Sequence, residues 1–200
     1  MKNKVKKLAG HKKEEGFDTK DLKKGEGMGR IKKLMNEGWT GVLFYSFLGV
    51  AFAFLFSHGL ALALSTDTPV VAVLTASMQH NNPEQTYYSW LESRGYTKSE
   101  IDSWPVPTGF FVGDMPIVAG ADSYEVGDVI VYSVPQESYP IIHRIIKIND
   151  DGTYQTKGDN NLQQYGYELS VSKEQIHGKV TFVVPKLGYF KLYATKLFGI

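Results

Sequence analysis

Two hundred residues with 42% hydrophobic content suffice for one modest domain and a membrane segment rather than two full cores. The net charge of +1 conceals a lopsided distribution, with +6 on residues 1–38 and −5 on residues 39–200. A basic end without interleaved aromatics argues against nucleic-acid binding. The absence of cysteine excludes disulfide scaffolds, thiol nucleophiles and the usual zinc cages.

Residues 1–38 are lysine-rich and glycine-punctuated, which reads as a basic cytoplasmic arm attracted to anionic lipid. No charged residue occurs between Glu37 and Asp67. The densest part, Gly41 to Leu64, would span roughly 36 Å as a helix at about 1.5 Å per residue, enough for a hydrocarbon core of about 30 Å. It is too long and too far from Met1 for a cleaved leader. Residues 39–65 therefore read as a single transmembrane helix. The basic flank puts the N-terminus inside, and everything after about Thr66 on the extracytoplasmic side of the cell membrane.

Beyond the span the texture is β. Pro69–Leu74, Asp128–Val134, Ile141–Ile148, Thr153–Lys157 and Gly178–Val184 are short, β-branched and bounded by Gly, Pro, Asn or Asp. Asn149–Gly152 (NDDG) signals a hairpin between two of them. Within residues 82–104 two short helices are expected. One starts at Asn82-Pro83 and closes at Gly95, and the other opens on a Thr97–Glu100 capping box and ends near Trp104. The fold class is mainly β with a short helical insert over residues 66–186. The amphipathic stretch 187–200 reads as an interfacial segment or an ordinary surface helix.

Chemistry centres on Ser77 and Asp159, just beyond the ends of expected strands, and on His143 within one. A serine nucleophile needs a base, and the base needs a partner that fixes its tautomer. Of the five histidines, His143 alone sits mid-strand, where the alternation fixes the direction of its ring. Closing the hairpin at Asn149–Gly152 puts His143 opposite Gly158, one residue from Asp159. In a regular ladder Asp159 points to the other face. Contact with His143 therefore requires a bulge or strand end at Gly158. The residues alone leave plainer readings open: a strand-end serine, a satisfied core histidine and an aspartate in an Asx-turn.

The ordered blocks "TASM", "VGDVIVY", "IIHRI" and "TKGDNN" resemble the motif boxes of type I signal peptidases, in the archaeal and endoplasmic-reticulum (Sec11-like) branch. The likeness runs from the span to about Gly188. It implies a membrane-anchored serine endopeptidase that cleaves signal peptides from exported preproteins, without metal or organic cofactor. By match, Ser77 is the nucleophile and His143 the general base. Asp128 and Asp159 match the family's acidic positions, the former as a structural turn residue. The implied partners are preproteins and the bilayer, with the protein-export machinery as a further candidate.

Two departures bear on the site. Gln79-His80 stand where the family usually has a proline, and a helical insert follows. Tyr165 stands where a further aspartate, a candidate triad acid, is usual. That leaves Asp159, Glu168 or a Ser-His dyad to complete the site. It also leaves a competing reading, a catalytically silent anchored β-domain that binds exported chains or a partner.

Overall fold

The computed structural model describes residues 38–190 together with Gly29, Lys32, Lys33 and Tyr193. The rest of the expected basic arm and of the C-terminal segment 187–200 lies outside the described residues. The chain divides into two units, Met1–Leu55 and Phe56–Ile200. The long apolar helix α1 (Gly38–Ala63) begins in the first unit and ends in the second. It is long and apolar enough to cross a membrane. Val42, Leu43, Phe47, Val50 and Leu62 along it are exposed, as they would be against lipid.

The second unit is built on a five-stranded antiparallel sheet: β1 (Met115–Ala119), β2 (Val129–Tyr132), β3 (Ile141–Ile148), β4 (Tyr154–Lys157) and β5 (Ile176–Val184), in the order β1-β5-β2-β3-β4. The central strand β2 is buried at every position, which explains its unbroken VIVY sequence. One apolar cluster, around Val73, Met78, Val129 and Val131, fills one face. Another, around Ile130, Tyr132, Ile145 and Tyr154, fills the other. The expected strands within 128–157 are thus present with small trims at their ends, and β5 begins at Ile176, two positions earlier than expected.

β1 went unanticipated because Pro116 interrupts its pattern; as an edge strand it tolerates a residue without an N–H. The expected strand Pro69–Leu74 does not form a full ladder. It runs extended beside β1, with Val71 N–H bonding Pro116 O at 3.2 Å and Val73 N–H bonding Asp114 O at 3.0 Å. One isolated bridge, Val70 to Ile117, joins them.

The helical insert is present. A single π turn (Glu84–Tyr88) runs into α2 (Ser89–Glu92), and α3 (Lys98–Asp102) opens on the Thr97–Glu100 capping box. Tyr87, Leu91 and Ile101 pack with Ile146 of β3 in a third cluster. At the hairpin, Asn149 N–H bonds Thr153 O at 2.8 Å and Gly152 takes φ +82°, a conformation glycine adopts without strain.

Candidate active site

His143 and Arg144 are consecutive on β3 and therefore face opposite sides of the sheet. His143 pairs with Ile130 and Arg144 with Val129 on β2. Across the hairpin, Arg144 pairs with Lys157 and Ile145 with Thr156, the register expected from closure at Asn149–Gly152. The register shift lies between Ile145 and Lys147, not at Gly158. The ladder stays regular at the site end, so Asp159 falls on the side of Arg144.

The expected contact between Asp159 and His143 is accordingly not formed. The Asp159 carboxylate accepts from Arg144 Nε at 3.0 Å and Nη2 at 2.8 Å, and from His80 Nε2 at 2.9 Å. Burial would raise its carboxyl pKa. The Arg144 guanidinium, with the hydrogen bonds from His80 and Arg144, holds it below the usual carboxylate range instead. Arg144 is wholly buried and also donates to the carbonyls of Pro105 (2.6 Å), Gly127 (2.8 Å) and Val106 (3.1 Å). It ties the end of the insert to β2 and β3.

His143 has a different carboxylate. Its Nδ1 lies 2.5 Å from Glu168 Oε1, and both side chains are buried. Glu168 belongs to a 3₁₀ turn, Gly166–Glu168, capped by Tyr165. Its second oxygen accepts the Tyr165 N–H at 2.5 Å. The residue at the usual acidic position thus contributes its backbone, and the turn swings a longer carboxylate back to the histidine. Of the three options the sequence left open, Glu168 is the one the structure places against the histidine. The available signal was a glutamate three residues beyond the missing acid.

His143 Nε2 makes no hydrogen bond among the described residues. It faces Gly158: a Cβ there would lie 2.8 Å from Nε2 and 2.9 Å from the Ser77 carbonyl oxygen. Glycine is what lets the imidazole and the serine backbone converge on one spot. The turn after β4 holds that backbone, with Asn160 N–H bonding Ser77 O at 2.8 Å and Asn160 Nδ2 bonding Ala76 O at 3.1 Å. Ser77 is partly exposed, and its Oγ lies 3.2 Å from Thr75 Oγ1. The Ser77 backbone and the imidazole thus converge at Gly158, with the buried Glu168 carboxylate on the far side of the imidazole ring. Thr75, two residues before the serine, was not anticipated at the site.

Asp128 is part of a turn. It accepts Glu125 N–H at 3.0 Å and Lys179 Nζ at 2.9 Å. Lys157, beside Gly158, is buried with Nζ on Thr86 O (2.8 Å) and Gly158 O (2.9 Å), and burial pulls its pKa down to about 8. Among the described residues no cluster of metal-ligating side chains occurs.

No protein-family model matches the chain. Curated proteins do. The chain is 30% identical over 161 residues to the signal peptidase complex catalytic subunit SEC11 of Eremothecium gossypii, covering 75% of this chain and 80% of that one. It is 28% identical over 159 residues to SEC11 of Komagataella phaffii, covering 72% and 77%. With SEC11 of Zygosaccharomyces rouxii it shares 30% identity over 155 residues, covering 72% and 76%.

Proposed function

Given that the chain belongs to the family of Sec11-like signal peptidase catalytic subunits, we propose that this signal peptidase cleaves signal peptides from exported preproteins with Ser77 as nucleophile, His143 as general base and Glu168 as the carboxylate that orients it. The observation that carries the catalytic assignment is the buried His143–Glu168 pair, with Nε2 left facing the wall shared with Ser77. It answers the loss of acid at Tyr165 and favours a working peptidase over a silent binding domain. Asp159, expected as a catalytic residue, is in this reading a structural anchor for Arg144 and His80.

In this reading the reaction proceeds through an acyl-enzyme, and the Ser77 hydroxyl leaves Thr75 and turns to His143. Ser77 Oγ attacks the scissile carbonyl carbon while Nε2 takes its proton. Glu168 accepts the Nδ1–H, keeping Nε2 unprotonated beforehand and stabilising the imidazolium formed. The oxyanion is held by the Ser77 N–H and the Thr75 hydroxyl, both beside the nucleophile. Collapse breaks the C–N bond, and His143 passes its proton to the departing amine. Water, deprotonated by His143, then attacks the acyl ester; the acyl C–Oγ bond breaks, the carboxylate product leaves, and the proton passes from His143 to Ser77 Oγ.

Substrate would add as an extended strand. Val71 and Val73 use their N–H groups on the β1 side, and among the described residues Ala72, Leu74 and Thr75 make no backbone–backbone bond. Those groups can pair with the residues before the cleaved bond. In this reading α1 is a single-pass anchor, with the basic arm cytoplasmic and the catalytic unit extracytoplasmic. Preproteins and the bilayer are its partners, with the protein-export machinery as a further one.

The test is incubation of the full-length chain in detergent with a signal-peptide-bearing preprotein, followed by N-terminal sequencing of the product. One cut directly after the small residues that end the signal peptide is expected. No cut, or cuts scattered through the mature sequence, would contradict the assignment.

A further inference from the structure

The chain turns at the nucleophile, with Gln79 N–H bonding Ala76 O at 3.1 Å, and the far end of the turn is held by a partly buried side-chain bond. His80 Nε2 lies 2.9 Å from Asp159 Oδ2. Asp159 cannot shift to follow it, because the same carboxylate is gripped by the fully buried Arg144, which is itself bonded to three carbonyls. An ionised carboxylate only accepts, so the His80 nitrogen facing it bears the proton whether the ring is neutral or charged.

The surroundings are shaped around this ring. Tyr87 lies against it, centroids 4.6 Å apart. Gly109, at φ +63°, leaves room on another side: a Cβ there would sit 2.2 Å from Met78 O and 2.8 Å from His80 Cδ2. The backbone just before His80 is pinned as well, by Phe110 N–H on Met78 O at 3.1 Å and an isolated bridge between Gln79 and Gly109. Asp159 N–H points at Met78 Sδ from 3.5 Å.

These contacts close a ring of connections. From Ser77 the chain runs to His80, across the hydrogen bond to Asp159, one residue back to Gly158, and from Gly158 to His143 Nε2. A second path leads from Asp159 through Arg144 to His143, its neighbour on β3. We propose that His80 is a positioning residue for the reaction: by donating its Nε2–H to Asp159 it fixes the separation between the segment that carries the nucleophile and the strand that carries the base. The inference rests on Ser77 and His143 acting in those roles. His80 touches no reacting atom; it acts through Asp159.

The experiment compares cleavage kinetics and thermal unfolding of the full-length chain in detergent for wild type, His80→Leu, His80→Gln and Ser77→Ala. Leucine keeps apolar bulk against Tyr87 and removes the donor, and glutamine keeps an N–H within reach of Asp159. For His80→Leu the expected result is a kcat lower on the order of ten- to a hundredfold, the cost of a small misplacement of reacting groups. KM should change by less than about twofold, because the loss is confined to the transition state. His80→Gln should recover most of the rate, with all variants unfolding near the wild-type temperature.

A His80→Leu enzyme with wild-type kcat would overturn the proposal. So would a folded His80→Gln enzyme as slow as the leucine variant, since the N–H would then not be what matters. Wild-type cleavage by Ser77→Ala would remove the nucleophile assignment on which the inference stands, an outcome separable from either.

Discussion

Replacing Glu168 by glutamine changes one atom at the centre of the site and leaves its shape intact. Glu168 has two fixed obligations, accepting the Tyr165 N–H through one oxygen and facing His143 Nδ1 with the other, both at 2.5 Å. A glutamine in this buried turn must give its carbonyl oxygen to the Tyr165 N–H, since an NH₂ there would oppose donor to donor. Its NH₂ then faces Nδ1, which becomes an acceptor, and the imidazole proton moves to Nε2. The base is thereby blocked on the side that must receive the Ser77 proton. Mis-set tautomers of this kind cost roughly 10⁴-fold in kcat in serine proteases, equivalent to about 5 kcal/mol at 1.36 kcal/mol per tenfold. The assay is single-turnover cleavage of a preprotein with substrate binding measured separately. Glu168→Gln should bind normally and cut at least about a thousandfold more slowly. A rate within about threefold of wild type, or a larger loss in folded Asp159→Asn, would refute the assignment of the acid.

Gly158→Ala introduces a methyl group 2.7 Å from Asn161 Nδ2, 2.8 Å from His143 Nε2 and 2.9 Å from Ser77 O; kcat should fall roughly a hundredfold, and an unchanged rate would show that base and nucleophile do not meet at this wall. Arg144→Met leaves the buried Asp159 carboxylate without its cation, and denaturant unfolding should show a loss of about 3–5 kcal/mol; a loss below about 1 kcal/mol would mean the pair behaves like an exposed one. Lys157 gives a pH signature: its ammonium loses its proton near pH 8 in the folded chain and near 10.5 when unfolded. Between those values the unfolded chain binds more protons, so this group makes the fold more stable as pH rises from about 8 to about 10.5 and contributes no such rise below that window. Lys157→Met should flatten this rise in unfolding measured at the two ends of the window, and parallel pH profiles for the two proteins would contradict the burial argument.

The elements whose sequence is dominated by local chemistry were legible in it. β3 runs from Ile141 to Ile148 as its apolar run suggests, and the Thr97–Glu100 box caps α3. The His143 and Ser77 candidates lie at one place in the fold because the hairpin register carries Gly158 opposite the histidine. What escaped depended on tertiary context. The one-residue shift falls between Ile145 and Lys147 rather than at Gly158, so the site end stays regular and Asp159 faces Arg144. No periodicity announces where an irregularity of that kind falls. Pro116 hid β1 because an edge strand forgives a proline that an interior strand would not. Glu168 was one of three options, since a 3₁₀ turn changes which of several nearby acids can reach a fixed imidazole. His80 stood out only as a departure from the family's proline, because its partner lies far away in sequence and the buried Arg144–Asp159 pair gives it something rigid to hold.

The central claim is that Ser77 is the nucleophile, and the most direct measurement is the initial rate of preprotein cleavage by folded Ser77→Ala at an enzyme concentration where wild type reaches completion. Removing one hydroxyl should abolish detectable cleavage while the protein unfolds at its normal temperature and still binds the preprotein. Cleavage by the alanine enzyme at a rate near wild type, at the same bond, would contradict the account.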